Sequence, residues 1–338
     1  MILAFDVPWE WHAEVWVLVA GVVALGGYAA KVVQPKAIAA GYEPITRAQK
    51  TWFVLAVAGM WVVSDWPVHE IAEQYLYFVH MFQHLFLSML VPAMFVLATP
   101  RWLLELVISK DSRAWRFLRT GSKPLVAGLT FNALTMLLHW SRLVQLSFEN
   151  GAVHFALHLM IFSSGLLMWM PVCGPIKEWR LSPMGQCFYL FAMSIVPTVP
   201  GGWLVFAEDV VYRHYDTPER LWGVGVLTDQ QAAGVVMKLV GGFFLWAVIF
   251  VIFTRWANRE MASDEQQRTE RQQAERARAK QALADSEPPI GGVEPVGPSG
   301  AATTPEVAGG TSDERGAVLT FEDVRRQFEN NPPPAADR

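Results

Sequence analysis

Histidine is the residue type in this sequence whose spacing best suits chemistry. His80 and His84 are four residues apart, and so are His154 and His158. Four residues advance a helix by about 6 Å and about 400°, so each pair lies on one helix face. Neutral imidazole is a common ligand of Cu, Zn, Fe and Ni. The two pairs therefore predict a metal site where two helices meet.

Other side chains extend this candidate site. His139, in a third apolar segment, is a fifth candidate ligand. Possible accessory ligands or supporting residues are the carboxylate of Asp229, the thioether of Met136 and the imidazole of His69. A thioether selects Cu(I), and Met136 lies one helical turn before His139. Paired histidines can also hold heme, so a heme-binding or electron-carrying membrane protein is an alternative, although a single heme would leave two or three of these histidines unused.

Asp229 and Lys238 leave a different class of function open. Asp229 stands at the start of the last apolar segment, where it either caps that helix or contacts the histidines. Lys238 lies two to three turns further on, and an intramembrane charge is costly unless it is paired. An ion or proton-coupled transporter using both residues is therefore an alternative. The sequence shows no nucleophile with a matching base and no phosphate loop, so we predict no enzymatic activity.

Long apolar runs must position these residues. The chain has 338 residues, of which 52% are hydrophobic and 17% are charged. About 20 helical residues cross a hydrocarbon core of about 30 Å, and seven runs approach that length. We predict an all-α, polytopic membrane protein with seven transmembrane helices. The predicted spans are 15–33, 51–68, 75–98, 124–141, 152–172, 186–206 and 231–254.

Basic residues predict the orientation of these spans. The segments after the first, third and fifth spans hold twelve Lys and Arg, whereas those after the second, fourth and sixth hold three. Basic residues near span ends stay in the cytoplasm. The N-terminus is therefore expected outside and the C-terminus in the cytoplasm. This orientation places all eight histidines toward the outer side.

The composition changes near residue 258. We predict a membrane domain at 1–257 and a cytoplasmic tail at 258–338, helical at first and then largely disordered. A capping-box pattern predicts a short helix at 320–329, which could dock a cytoplasmic partner. The net charge of −4, without a basic groove, excludes nucleic acid as a partner. Two cysteines are too few for a disulfide framework.

Four short motifs occur together in the chain. They are Trp66–His69, Tyr77–Leu85, the pair His154 and His158 ahead of Trp169–Pro171, and Trp222–Gly223 followed by Asp229–Gly234. In combination they resemble the polytopic CtaG family of cytochrome c oxidase assembly factors, over roughly residues 50–250.

This resemblance implies a multi-pass protein of the bacterial plasma membrane. It further implies a role in the maturation of caa-type heme–copper oxidases, with oxidase subunits as partners and help with copper insertion as the task. From the resemblance and the histidines together, we predict an assembly factor whose outer-facing histidine cluster holds copper.

Overall fold

Helices form most of the described chain. The structure, a computed structural model, describes residues 7–218 and 220–286. It is 81% helical and contains no strands within these ranges, which confirms the predicted all-α class. In chain order the helices are Ala13–Ala39 (α1), Arg47–Ser64 (α2), Val68–Tyr75 (α3), Tyr77–Ala98 (α4), Arg101–Val107 (α5), Arg113–Gly121 (α6), Pro124–Leu138 (α7), Ser141–Glu149 (α8), Gly151–Cys173 (α9), Pro183–Val205 (α10) and Val226–Ser286 (α11).

Five of these helices, α1, α4, α9, α10 and α11, are long and apolar enough to cross a membrane. Helix α2 meets the same criteria only together with α3, from which it is bent by 50°. Helix α7 is apolar but has only 15 residues. At about 1.5 Å per residue, α7 is about 22 Å long and falls short of a typical hydrocarbon core. The structure therefore supports five or six spans, and the seventh span and the orientation stay predictions.

The chain divides into two compact units, Met1–Gln273 and Ala274–Arg338. In the second unit, the described residues up to Ser286 are helical. The division at 257 and 258 stays a prediction, and the helix proposed for 320–329 lies outside the described residues. The candidate site lies wholly in the first unit.

Helices α4 and α9, which carry the two histidine pairs, pack closely. A Cβ atom at Gly165 of α9 would overlap the carbonyl oxygen of Ser88 in α4, so glycine is what permits this approach. The indole N–H of Trp169 donates to the carbonyl oxygen of Met89 at 2.8 Å. Both α4 residues lie in a π-helical turn, Phe86–Leu90, immediately after the histidine pair. These contacts fix the distance between the helices that carry the histidines.

The first turn of α11 holds the segment that follows α10. The side-chain oxygen of the buried Gln230 accepts from the main-chain N–H groups of Val211 and Tyr212, at 2.9 and 3.2 Å. The amide of Gln230 donates back to the carbonyl oxygen of Tyr212 at 2.8 Å. The neighbouring Gln231 donates to the carbonyl oxygen of Ala207 at 3.0 Å. This segment is therefore bound, through its main chain, to the end of the bundle that carries the histidines.

Candidate metal centre

The two histidine pairs form one cluster between α4 and α9. Within each pair the ring centroids are 4.4 Å apart, both for His80 and His84 and for His154 and His158. Across the helices, the rings of His84 and His158 are 4.7 Å apart, and those of His80 and His154 are 6.4 Å apart. The four imidazoles thus form one continuous cluster between the two helices.

Glu73 of α3 brings a carboxylate into this cluster. Its Oε1 atom lies 3.0 Å from Nδ1 of His80 and 3.5 Å from Nε2 of His154. Glu73, His154 and His158 each offer one ligand atom, and these three atoms lie within 4.8 Å of one another. Glu73 was not identified from the sequence as a site residue, because only histidines, Asp229 and Met136 were considered as ligands or supporting residues. Its position seven residues before His80 was the available signal.

Hydrogen bonds determine which ring nitrogens are free. An ionised carboxylate only accepts, so Nδ1 of His80 carries the proton toward Glu73 and Nε2 keeps its lone pair. Nδ1 of His139 donates to the carbonyl oxygen of Thr135 at 2.6 Å, which leaves the Nε2 lone pair free in the same way. The Nε2 atoms of His139 and His158 are buried and have no hydrogen-bond partner among the described residues. These nitrogens are available to a metal ion.

His139 contributes a third helix to the site. It follows the last residue of α7 and lines the same cavity as the four paired histidines. Its main-chain carbonyl oxygen accepts a hydrogen bond from the hydroxyl of Tyr212 at 2.9 Å. The segment after α10 therefore helps to hold His139 in place.

His69 is near the cluster but has a different hydrogen-bond environment. Its ring centroid lies 6.4 Å from that of His154. The amide nitrogen of Gln83 donates to the carbonyl oxygen of Val63 at 2.7 Å and lies 3.1 Å from Nδ1 of His69. The carbonyl oxygen of Val63 can only accept, so the group that faces it must be the NH₂ group of Gln83. The second proton of that NH₂ group then points to Nδ1 of His69, which must accept. The proton of neutral His69 is then on Nε2, which has no lone pair for a metal.

Asp229 supports the cluster indirectly. It is fully buried, and its two carboxylate oxygens accept from the main-chain N–H groups of Tyr77 and Phe78, at 2.8 and 2.9 Å. These are the free N–H groups at the start of α4, the helix that carries His80 and His84. Asp229 thus caps this neighbouring helix, and both of its oxygens are engaged there.

Met136 and Lys238 do not line the cavity that the four paired histidines share. The Met136 side chain is 40% exposed on the surface of α7, although its residue is one turn from His139. Lys238 is exposed on α11 and lines a second cavity, which His84 also lines.

Two further histidines occupy the same end of the bundle. Nε2 of His12 lies 2.7 Å from Oε1 of Glu70, a buried carboxylate of α3. Nε2 of His214 donates to the main-chain carbonyl oxygen of Glu73 at 2.9 Å. His214 therefore fixes the backbone that carries the central carboxylate.

A family model described as cytochrome c oxidase caa3 assembly factor (Caa3_CtaG) matches residues 26–259. The matched range contains the four paired histidines, His139 and Glu73. No curated protein and no solved structure matches the chain significantly.

Proposed function

Because the chain belongs to the cytochrome c oxidase caa3 assembly factor family, we propose that its histidine cluster holds copper and passes it to an oxidase subunit. Family membership makes the chain an assembly factor for cytochrome c oxidase. The proposal has three further parts. The cluster inserts copper, it faces the outer side of the membrane, and that membrane is the bacterial plasma membrane.

The Glu73 carboxylate, shared between His80 and His154, is the observation that carries the proposal. A carboxylate that accepts from one nitrogen of an imidazole orients the ring and makes its other nitrogen a better ligand. The nearby Nε2 of His158 has no hydrogen-bond partner among the described residues. The arrangement is suited to binding an ion with two or three imidazoles and one carboxylate.

The charge of the cluster suits a monovalent ion. Neutral imidazoles contribute no charge, so Glu73 supplies a single negative charge among the groups that surround the ion. A net charge is expensive in a membrane interior, whereas Cu(I) with one carboxylate is neutral. Binding of Cu(I) thus neutralises the carboxylate, whereas binding of Cu(II) would leave one net positive charge in the cluster.

Replacing the carboxylate tests this function. We expect Glu73→Gln to weaken copper binding about 10–100-fold, as the loss of a group that supports a metal ligand does. The exposed Glu149→Gln, on α8, is the matched control and should bind as the wild type does. The measurement is a competition titration of purified full-length protein with Cu(I) under anaerobic conditions.

Two results would contradict the proposal. Equal copper affinity in the wild type and in His154→Ala/His158→Ala would show that the cluster does not hold the ion. A Soret absorption band in the purified protein, lost in His80→Ala, would favour heme as the ligand instead.

A further inference from the structure

A second cavity adjoins the histidine cluster and has a different lining. The cavity of the cluster and this second one share a wall, which is formed by Met81, His84, Leu138 and His139. Beyond the wall, the first cavity is lined by further histidines and the second by further methionines. We call the second one the methionine cavity.

Four methionines line the methionine cavity: Met81, Met89, Met193 and Met237. They belong to α4, α10 and α11, and none is more than 7% exposed. A thioether is a soft ligand that favours Cu(I) over harder ions. Methionine is also a common filler of irregular cores, so these residues need a second observation before they indicate a ligand.

His139 gives that second observation. Its Nδ1 donates to Thr135, and its Nε2 is buried without a hydrogen-bond partner among the described residues. A buried polar atom without a partner costs free energy, and an ion bound there would remove the cost. His139 is one of the four residues that form the wall between the two cavities.

We propose that the methionine cavity is a second copper station, where Cu(I) is bound by His139 and the thioethers of Met81 and Met237. The inference rests on the proposed function and adds the position that the ion takes after it leaves the paired histidines. His84 and Met81 line both cavities, so the ion passes between stations without losing all its ligands at once. The thioethers favour Cu(I) over divalent ions. Because all three ligands are neutral, the bound Cu(I) keeps its positive charge, which makes this station weaker than the first.

Lys238 makes the second station a weak one. Its side chain lines the methionine cavity and is exposed on the outside of α11. Its positive charge repels a cation in the cavity, more strongly than the same charge would in water. We therefore expect Lys238→Leu, which removes the charge without adding a sulfur ligand, to bind Cu(I) more tightly at this station than the wild type does.

X-ray absorption at the copper edge tests the second station, because it distinguishes sulfur from nitrogen and oxygen neighbours. The protein is the full chain, purified in detergent, carrying Cys173→Ala and Cys187→Ala so that methionine is the only source of sulfur. It is loaded with two equivalents of Cu(I). We expect sulfur neighbours in this background, their loss in Met81→Leu/Met237→Leu, and their persistence in Met136→Leu, whose side chain is exposed.

Each result bears on the inference. Copper with only nitrogen and oxygen neighbours in the cysteine-free background would overturn the second station and leave the proposed function standing. Sulfur neighbours that survive Met81→Leu/Met237→Leu would overturn the assignment to these methionines. No bound copper at all would remove the proposed function as well. Leucine conserves the volume of methionine, and the cysteine-free background tests by itself whether copper has sulfur neighbours, even if the double variant misfolds.

Discussion

Gln83 and Glu73 determine which ring nitrogen carries the proton in His69 and in His80, and the two outcomes are opposite. Gln83 donates toward His69, so the far nitrogen of that ring must carry the proton. Glu73 accepts from His80, so the far nitrogen of that ring is free. The two rings therefore differ in their capacity to bind a metal, although both lie at the same end of the bundle.

This difference predicts unequal effects of two alanine substitutions. His80→Ala should lower the amount of copper bound per chain, whereas His69→Ala should leave the stoichiometry close to that of the wild type. Anaerobic titration of both purified variants measures the stoichiometry, with His12→Ala as a control outside the cluster. An equal loss of copper in the first two variants would show that the proton on His69 is not fixed as the hydrogen bonds require.

At this scale the sequence predicted the members of the cluster better than their roles. The four-residue spacing of His80 with His84 and of His154 with His158 follows from helix geometry alone, and the structure brings the four rings together. The roles of His69 and Glu73 depend on partners from other helices. Such partners are set by packing and leave no periodic pattern in a single chain.

Helix α4 depends on α11 for its first turn, because Asp229 accepts from two of its free N–H groups. We expect Asp229→Ala to lower the free energy of unfolding by about 1–2 kcal/mol, the usual cost of losing a cap. It should also weaken copper binding, since the capped turn leads directly to His80. Thermal unfolding in detergent and a copper titration measure the two effects.

The exposed Asp209→Ala is the matched control for this substitution. Asp209→Ala removes an aspartate side chain too, but from the segment after α10. It should change neither the midpoint of unfolding nor the affinity for copper. If Asp229→Ala behaved as Asp209→Ala does, the cap would contribute nothing to the position of α4.

The contact between α4 and α9 depends on the absence of one side chain. Gly165→Ala would place a methyl group against the carbonyl oxygen of Ser88 and force the helices apart. We expect a cost of about 1–3 kcal/mol, as for other overpacked cores, together with weaker copper binding. Gly21→Ala is the control, because a Cβ atom there faces open space and alanine favours a helix. A higher unfolding midpoint for Gly165→Ala would contradict the packing described above.

The helices were easier to predict than the breaks within them. Apolar runs of sufficient length predicted α1, α4, α9, α10 and α11, and the structure has a helix at each. The 50° bend between α2 and α3 and the shortness of α7 were not predicted, because hydropathy averages over such features. The cap on α4 joins residues 152 positions apart, a separation that no local pattern reveals.

For the whole molecule, the sequence predicted the all-α class and the family, and both are confirmed. Both rest on properties that one chain displays by itself, namely long apolar runs and combined motifs. The number of spans, the orientation and the lack of enzymatic activity stay predictions. They depend on the membrane and on partners as well as on the chain.

The predicted orientation can be measured with single cysteines. In a chain carrying Cys173→Ala and Cys187→Ala, we expect a membrane-impermeant maleimide to label Glu10→Cys and Asp209→Cys in intact cells, but not Asp111→Cys. The physical reason is the excess of Lys and Arg around Asp111, which keeps that segment in the cytoplasm. Labelling of Asp111→Cys alone would mean that the histidine cluster opens toward the cytoplasm.

The contacts made by Asp229, Gln230 and Gln231 affect which positions of this sequence can change during evolution. Each of the three side chains binds main-chain atoms, which nearly every amino acid supplies in the same form. A substitution at Phe78 or Val211, for example, would keep these hydrogen bonds unless the new residue is proline, which has no main-chain N–H group. These contacts therefore constrain three consecutive residues, Asp229, Gln230 and Gln231, more than the residues whose main chain they bind, with the exception of Tyr212, whose hydroxyl also holds His139.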